Sequence, residues 1–229
     1  MTLRTICQTA LNRIGSFDIP NAIIGNAAPE ARQTLAYANA TGQELARKFA
    51  WQALLKSYTF TTSDGVAEYD LPSDYLRFAN LSFWDRTNEW ELLGPATPIQ
   101  WQTLKSGIIE VTIRRWFRIA QSQFQLHPVP TAADTIAYDY YSKHWCQSDA
   151  EVGQTEFLGD TDISLIDEEL MTMGVKWRFL EQKGLPYFEA RREFEEYRDA
   201  LLADDTPKPL VNMGGEVYVD NIPEGNYGL

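Results

Sequence analysis

The chain has 229 residues, 44% of them hydrophobic, enough to bury one large core or a domain carrying an insertion. Its formal net charge is −12, and the excess is uneven: 13 Lys+Arg against 14 Asp+Glu in residues 1–150, then 6 against 15 in 151–205. Acidic surface repels phosphate, which argues against tight or sequence-specific DNA binding, and no apolar run approaches the roughly 20 residues of a membrane helix. The opening residues Met1 to Gly15 alternate polar and apolar types and lack a signal-peptide core, so synthesis in a cytoplasm, with the chain soluble there, is expected.

Leu3, Ile6, Cys7, Ala10, Leu11 and Ile14 recur at the spacing of one helical face, with Thr2 as cap and Gly15 as stop. After a Pro-, Asn- and Gly-rich loop, Pro29 is placed to open a second helix. Its stripe of Ala31, Leu35, Ala38, Gly42, Leu45, Ala46 and Phe49 is rich in small residues and predicts a close helix–helix approach. Beyond Trp51 the period drops to two. Tyr58 and Phe60 alternate with threonines, Ser63-Asp64-Gly65 supplies a turn, and Tyr69 and Leu71 lead to Pro72. Further strands are expected at Phe78–Phe83, Trp90–Leu93, Ile109–Ile113, Phe124–Leu126 and Ile136–Tyr140, with a short helical segment from Pro98 to Leu104. Helical period returns with Ile166, Leu170, Met173, Gly174, Trp177 and Leu180, then again with Tyr187, Ala190, Phe194, Tyr197 and Leu201. The short link between the last two predicts an αα-hairpin.

The expected fold is therefore α+β. The N- and C-terminal helices (1–55 and 160–205) form an antiparallel bundle, 56–150 is an inserted β-rich domain, and 206–229 is an extended Pro/Gly-rich tail. In that tail Val217-Tyr218-Val219 is the one strand-like stretch, suited either to a neighbour or to the chain's own domain.

No pattern carries catalysis convincingly. His144 and Cys146 lie two apart, but the only other His and Cys are His127 and Cys7, too few for a zinc site, so no metal or cofactor is expected. Two cysteines cannot build a disulfide framework, and Cys7 reads as a buried thiol. Asp167, Glu168 and Glu169 resemble a glycosidase pair only in composition. Their position at a helix start is explained by the helix dipole. Arg114, Arg115 and Arg118 with Trp116 and Phe117 form one basic-aromatic patch, equally expected of a strand with outward arginines.

Several phrases together resemble the adaptor (tail tubular A-like) and head–tail connector proteins of short-tailed phages. They are Leu11-Asn12-Arg13-Ile14-Gly15, Phe49-Ala50-Trp51, Tyr69-Asp70-Leu71-Pro72-Ser73-Asp74-Tyr75, Phe124-Gln125-Leu126-His127-Pro128 and Ile136-Ala137-Tyr138-Asp139-Tyr140-Tyr141. The resemblance covers most of residues 1–205. It implies a non-enzymatic virion protein of the neck or tail, assembled as a ring of twelve copies. The portal protein would lie above and the tail nozzle or tube protein below, with DNA passing through the channel. Contacts between subunits and partners are expected from Trp84, Trp90, Trp101, Trp116, Tyr218 and Tyr227, because aromatics dominate interface energetics. The alternatives are a tail-associated cell-wall glycosidase and a carbohydrate- or nucleic-acid-binding module built on the β-rich middle.

Overall fold

The computed structural model describes residues 1–16, 19–106 and 114–205. The chain falls into two compact units. Among the described residues, one comprises Met1–Leu55 and 141–205, the other Lys56–Tyr140. The expected strand at 109–113 and the tail 206–229 lie outside the described residues.

In the first unit, α1 (Leu3–Ile14) begins where Thr2 Oγ1 accepts the Thr5 N–H and ends where Gly15 turns left-handed at φ 79°. Its buried residues, Leu3, Ile6, Cys7, Ala10 and Leu11, are the stripe the spacing predicts. Helix α2 (Pro29–Lys48) opens on Pro29, whose missing N–H costs nothing in a first turn. Trp51 and a single 3-10 turn, Gln52–Leu54, then lead into β1 (Leu55–Thr61) and the second unit.

The second unit continues with β2 (Glu68–Asp70), β3 (Tyr75–Phe78), β4 (Trp84–Asp85), β5 (Trp90–Glu91) and α3 (Pro98–Lys105). It closes with β6 (Trp116–Ala120), β7 (Gln123–His127) and β8 (Thr135–Ser142). Two antiparallel sheets form. One has the order β1-β8-β4-β5, with β3 also on β8, and the other the order β2-β7-β6. Register places Tyr69 opposite Phe124, Phe117 opposite Leu126 and Trp84 opposite Ala137. The inward positions meet in an aromatic core. Phe124 stacks on Phe117 at 5.2 Å and on Tyr138 at 5.4 Å, and Phe83 lies 3.9 Å from Phe117. Each such ring contributes about 1.5–3 kcal/mol by leaving water.

The continuous strand expected over Phe78–Phe83 is instead broken by a turn at Ala79–Ser82. Leu81 there sits at φ 59°, and Ser82 Oγ donates to the Ala79 carbonyl at 2.8 Å. A local side-chain bond of this kind competes with the strand ladder and ends β3.

From Tyr141 the chain rejoins the first unit. A small sheet of β9 (Cys146–Gln147), β10 (Gly153–Gln154) and β11 (Ile163–Ser164) has the order β10-β9-β11. Trp145 and Cys146 sink into the helical core, and the Trp145 indole donates to the Thr155 carbonyl at 2.8 Å. Helix α4 (Glu168–Gln182) packs on α1, α2 and α5 (Phe188–Asp205). Gly174 permits the approach of α4 to α2, since an added Cβ there would lie 2.3 Å from Thr41 Cγ2, and Gly42 makes room for the Trp145 ring, 2.3 Å from an added Cβ. The architecture is mixed α and β with antiparallel sheets, as the α+β reading anticipates.

Candidate interaction surfaces

The acidic residues grouped before and at the start of α4 are each occupied locally. Asp160 accepts the backbone N–H groups of Ile23 and Ile24, at 3.1 and 2.8 Å through Oδ1. Asp162 accepts those of Leu158 and Gly159, at 2.7 and 2.8 Å. Asp167 caps α4 by accepting the Leu170 N–H at 2.8 Å, Glu168 meets the Met1 ammonium, and Glu169 forks with Arg13. A general acid needs a carboxyl whose environment differs from its partner's across a cleft. These carboxylates instead anchor a loop, a turn, a cap and two ion pairs.

Cys146 is fully buried, with its thiol aimed at the Gln154 carbonyl 3.5 Å away. Burial, reinforced by Asp162 and Glu156, pushes that thiol up to about 12, so the thiolate a zinc ion needs is disfavoured. Among the described residues no group of three or more His, Cys, Asp and Glu is placed to hold a metal ion.

The basic-aromatic patch is drawn largely into the fold. Arg115 reaches inward to two buried carboxylates, Asp85 (3.2 Å) and Asp134. Arg118 lies over the Trp101 ring at 4.4 Å and donates to Gln125 Oε1 at 2.6 Å. Two of the three arginines that suggest a phosphate-facing row are thus held by internal partners.

Of the six aromatics expected at contacts, the four that are described separate into different environments. Trp101 is only 2% exposed, packed with Ala96, Leu104 and the half-buried Trp116 in a small cluster under α3. It is a core residue, because Arg118 and His127 close over it on the β6–β7 side. Trp90 is half-buried on β5, paired with Asp85 and so on the inward face. Trp84, one position along β4, takes the opposite face and remains 37% exposed. Tyr218 and Tyr227 lie outside the described residues.

Other apolar side chains held to solvent are not evident from sequence. Leu81 is 95% exposed at its left-handed turn position, and Phe188 is 73% exposed beside Tyr187, their rings 4.4 Å apart. Next to Leu81 a hollow of about 40 Å³ is lined by Asn80, Phe83, Glu91, Leu92, Gly94 and Pro95. That is room for the tip of a side chain, well below the roughly 300–1,000 Å³ of small-molecule sites. The one signal in the sequence is a large aliphatic residue inside the polar turn Asn80-Leu81-Ser82, which hydrophobic periodicity absorbs into a strand.

Exposed apolar side chains thus occur on both units, Leu81 and Trp84 on the β-rich one and Phe188 on the helical one. The family described as SU10 adaptor protein matches residues 1–210, and the chain belongs to that family of phage adaptor proteins. No curated protein matches the chain.

Proposed function

We propose that the protein is a head-to-tail adaptor whose copies, twelve in number, form a ring between the portal protein and the tail nozzle or tube protein, with DNA passing through its channel. The observation that carries this reading is the family match over 210 of 229 residues. It agrees with the resemblance to tail tubular A-like connectors of short-tailed phages, and with a neck position in the virion. The acidic stretch 151–205, net −9 from 6 Lys+Arg and 15 Asp+Glu, suits a surface past which DNA slides without sticking. Trp84 and Leu81 are the proposed contact anchors of the β-rich unit, and Phe188 that of the helical unit. Trp101 is withdrawn from the expected set, and Tyr218 and Tyr227 are retained as tail contacts. The helical and β-rich units are proposed as separate domains.

The test is to mix the purified chain with portal rings and image the product. A closed ring seated on the portal is the expected result, and a chain that stays monomeric beside bare portals would sink the proposal. The free chain being monomeric is compatible with it, since the portal then acts as template.

A further inference from the structure

Within the β-rich unit, β4 and β5 present an aromatic ring and a carboxylate side by side. Trp84 is registered directly opposite Glu91, and opposed residues of an antiparallel pair share a face, with Cβ atoms about 4.5–5.5 Å apart. Asp85 and Trp90, the next pair along, take the other face. On its remaining side Trp84 meets Ala137 of β8, a side chain too short to screen an indole.

Both members of the outward pair are open to solvent. Among the described residues no lysine or arginine lies over the Trp84 ring, and none pairs with the Glu91 carboxylate. Even Arg86, the next residue but one after Trp84, makes neither contact. The helical unit shows the same pair of receptors filled: Arg178 lies over the Trp177 ring at 4.4 Å and is ion-paired with Glu44. Trp84 and Glu91 repeat that arrangement without the cation. Glu91 also stands at the rim of the hollow beside Leu81, where Phe83, Leu92 and Pro95 supply apolar walls.

We infer that Trp84 and Glu91 seat an arginine side chain of a partner protein, and that the adjoining hollow takes the tip of an apolar residue next to that arginine. The inference rests on the reading of Leu81 and Trp84 as contact anchors and specifies the chemistry they meet. A guanidinium suits the seat better than an ammonium, because its plane stacks on the indole while its N–H fork donates to the carboxylate. The hollow of about 40 Å³ has room for a side-chain tip and no more. A net charge of −12 favours a basic surface of a different protein over a second copy of this chain, and the Glu91 carboxylate repels nucleic-acid phosphate.

Titration of the free, full-length chain with the peptide acetyl-Gly-Leu-Arg-Gly-amide, followed by NMR, tests this. Saturable shifts of the Trp84 indole N–H and the Leu81 methyls are expected at millimolar peptide. The citrulline analogue, which keeps the shape and lacks the charge, should shift neither at the same concentration. Read at the Leu81 methyls, Glu91→Gln and Trp84→Ala should each weaken binding about threefold, and the double variant about tenfold. Amide spectra that coincide away from the patch establish that the variants fold. No shift with the arginine peptide, equal shifts with citrulline, or binding that Glu91→Gln leaves intact would overturn the inference. So would the same shifts produced by raising the chain's own concentration without peptide, since a second copy would then be the occupant. Portal rings do not enter the titration, so its failure and a failure to form rings on portals are separate results.

Discussion

At Gly174, α4 approaches α2 so closely that a new Cβ would sit 2.3 Å from Thr41 Cγ2. Alanine there gains about 1 kcal/mol of helix propensity but overpacks a filled core, which costs about 1–3 kcal/mol. Gly174→Ala is therefore expected to lower unfolding free energy by about 1 kcal/mol. Thr41→Ser deletes the offending methyl and keeps the hydroxyl that donates to the Tyr37 carbonyl and accepts from Arg178. The double variant should recover more than the two single effects added, which denaturant titration of the four proteins measures. The thiols give a second residue-scale outcome. Burial, with Asp160 nearby, pushes Cys7 up to about 12, and burial with Asp162 and Glu156 does the same for Cys146. A raised acid pKa means the folded state holds its proton longer than the unfolded one. The associated stability is thus complete below the ordinary thiol value of about 8.5 and is lost as pH climbs toward 12. Unfolding midpoints should fall across that window, and a thiol reagent at pH near 8 should label the native chain only at the rate of opening. Rapid labelling of either cysteine in the folded protein would refute the assignment.

Among elements, the short strands β4 and β5 and the segment leading into β6 depend on one buried charge cluster. Asp85 is fully buried, and its Oδ1 accepts the N–H groups of Thr87 and Asn88 at 3.1 and 3.0 Å. Its other oxygen meets Arg115, which also holds Asp134. Thr62 Oγ1 accepts the Asp134 N–H at 2.8 Å and ties the end of β1 to the start of β8. Arg115→Met would leave two buried carboxylates without a cation, a loss of about 3–5 kcal/mol. Changing both aspartates to asparagine in the same chain should restore much of it, because the desolvated charges go with the arginine. Thermal unfolding of the three variants checks the order. This cluster also marks where sequence reading ends. The helices are legible because Leu3 to Leu11 and Leu170 to Phe179 repeat at a helical period between recognisable caps, and β8 because its alternation is long. Arg115 gives no local sign that its partners lie 30 and 19 residues away, and its neighbours in sequence place it in an outward basic row. Trp101 resembles a contact residue in sequence for the same reason: its cover, Arg118 and His127, arrives from strands later in the chain. Two-residue strands such as β4, β5 and β9 are too short to show a period at all.

For the whole molecule, charge and exposed apolar surface act in opposite directions. A net charge of −12 opposes the approach of like copies, while Leu81, Trp84 and Phe188 give up the stabilisation they would gain by burial. Leu81 adds a conformational cost, since an L-residue of its size at φ 59° carries roughly 1 kcal/mol of strain that asparagine largely avoids. Folding and assembly should consequently respond with opposite signs to one substitution. Leu81→Asn is expected to raise the unfolding free energy of the free chain by up to about 1 kcal/mol. The same change should weaken ring formation on portals, by about tenfold for each 1.4 kcal/mol of binding free energy that Leu81 supplies. Trp84→Ala, with no backbone strain to relieve, should weaken assembly while leaving stability within about 0.5 kcal/mol, as surface changes do. Unfolding curves of the monomer and portal titrations followed by imaging separate the two effects. A Leu81→Asn chain that assembles as tightly as the natural one would remove Leu81 from the interface and leave its exposure to the turn alone.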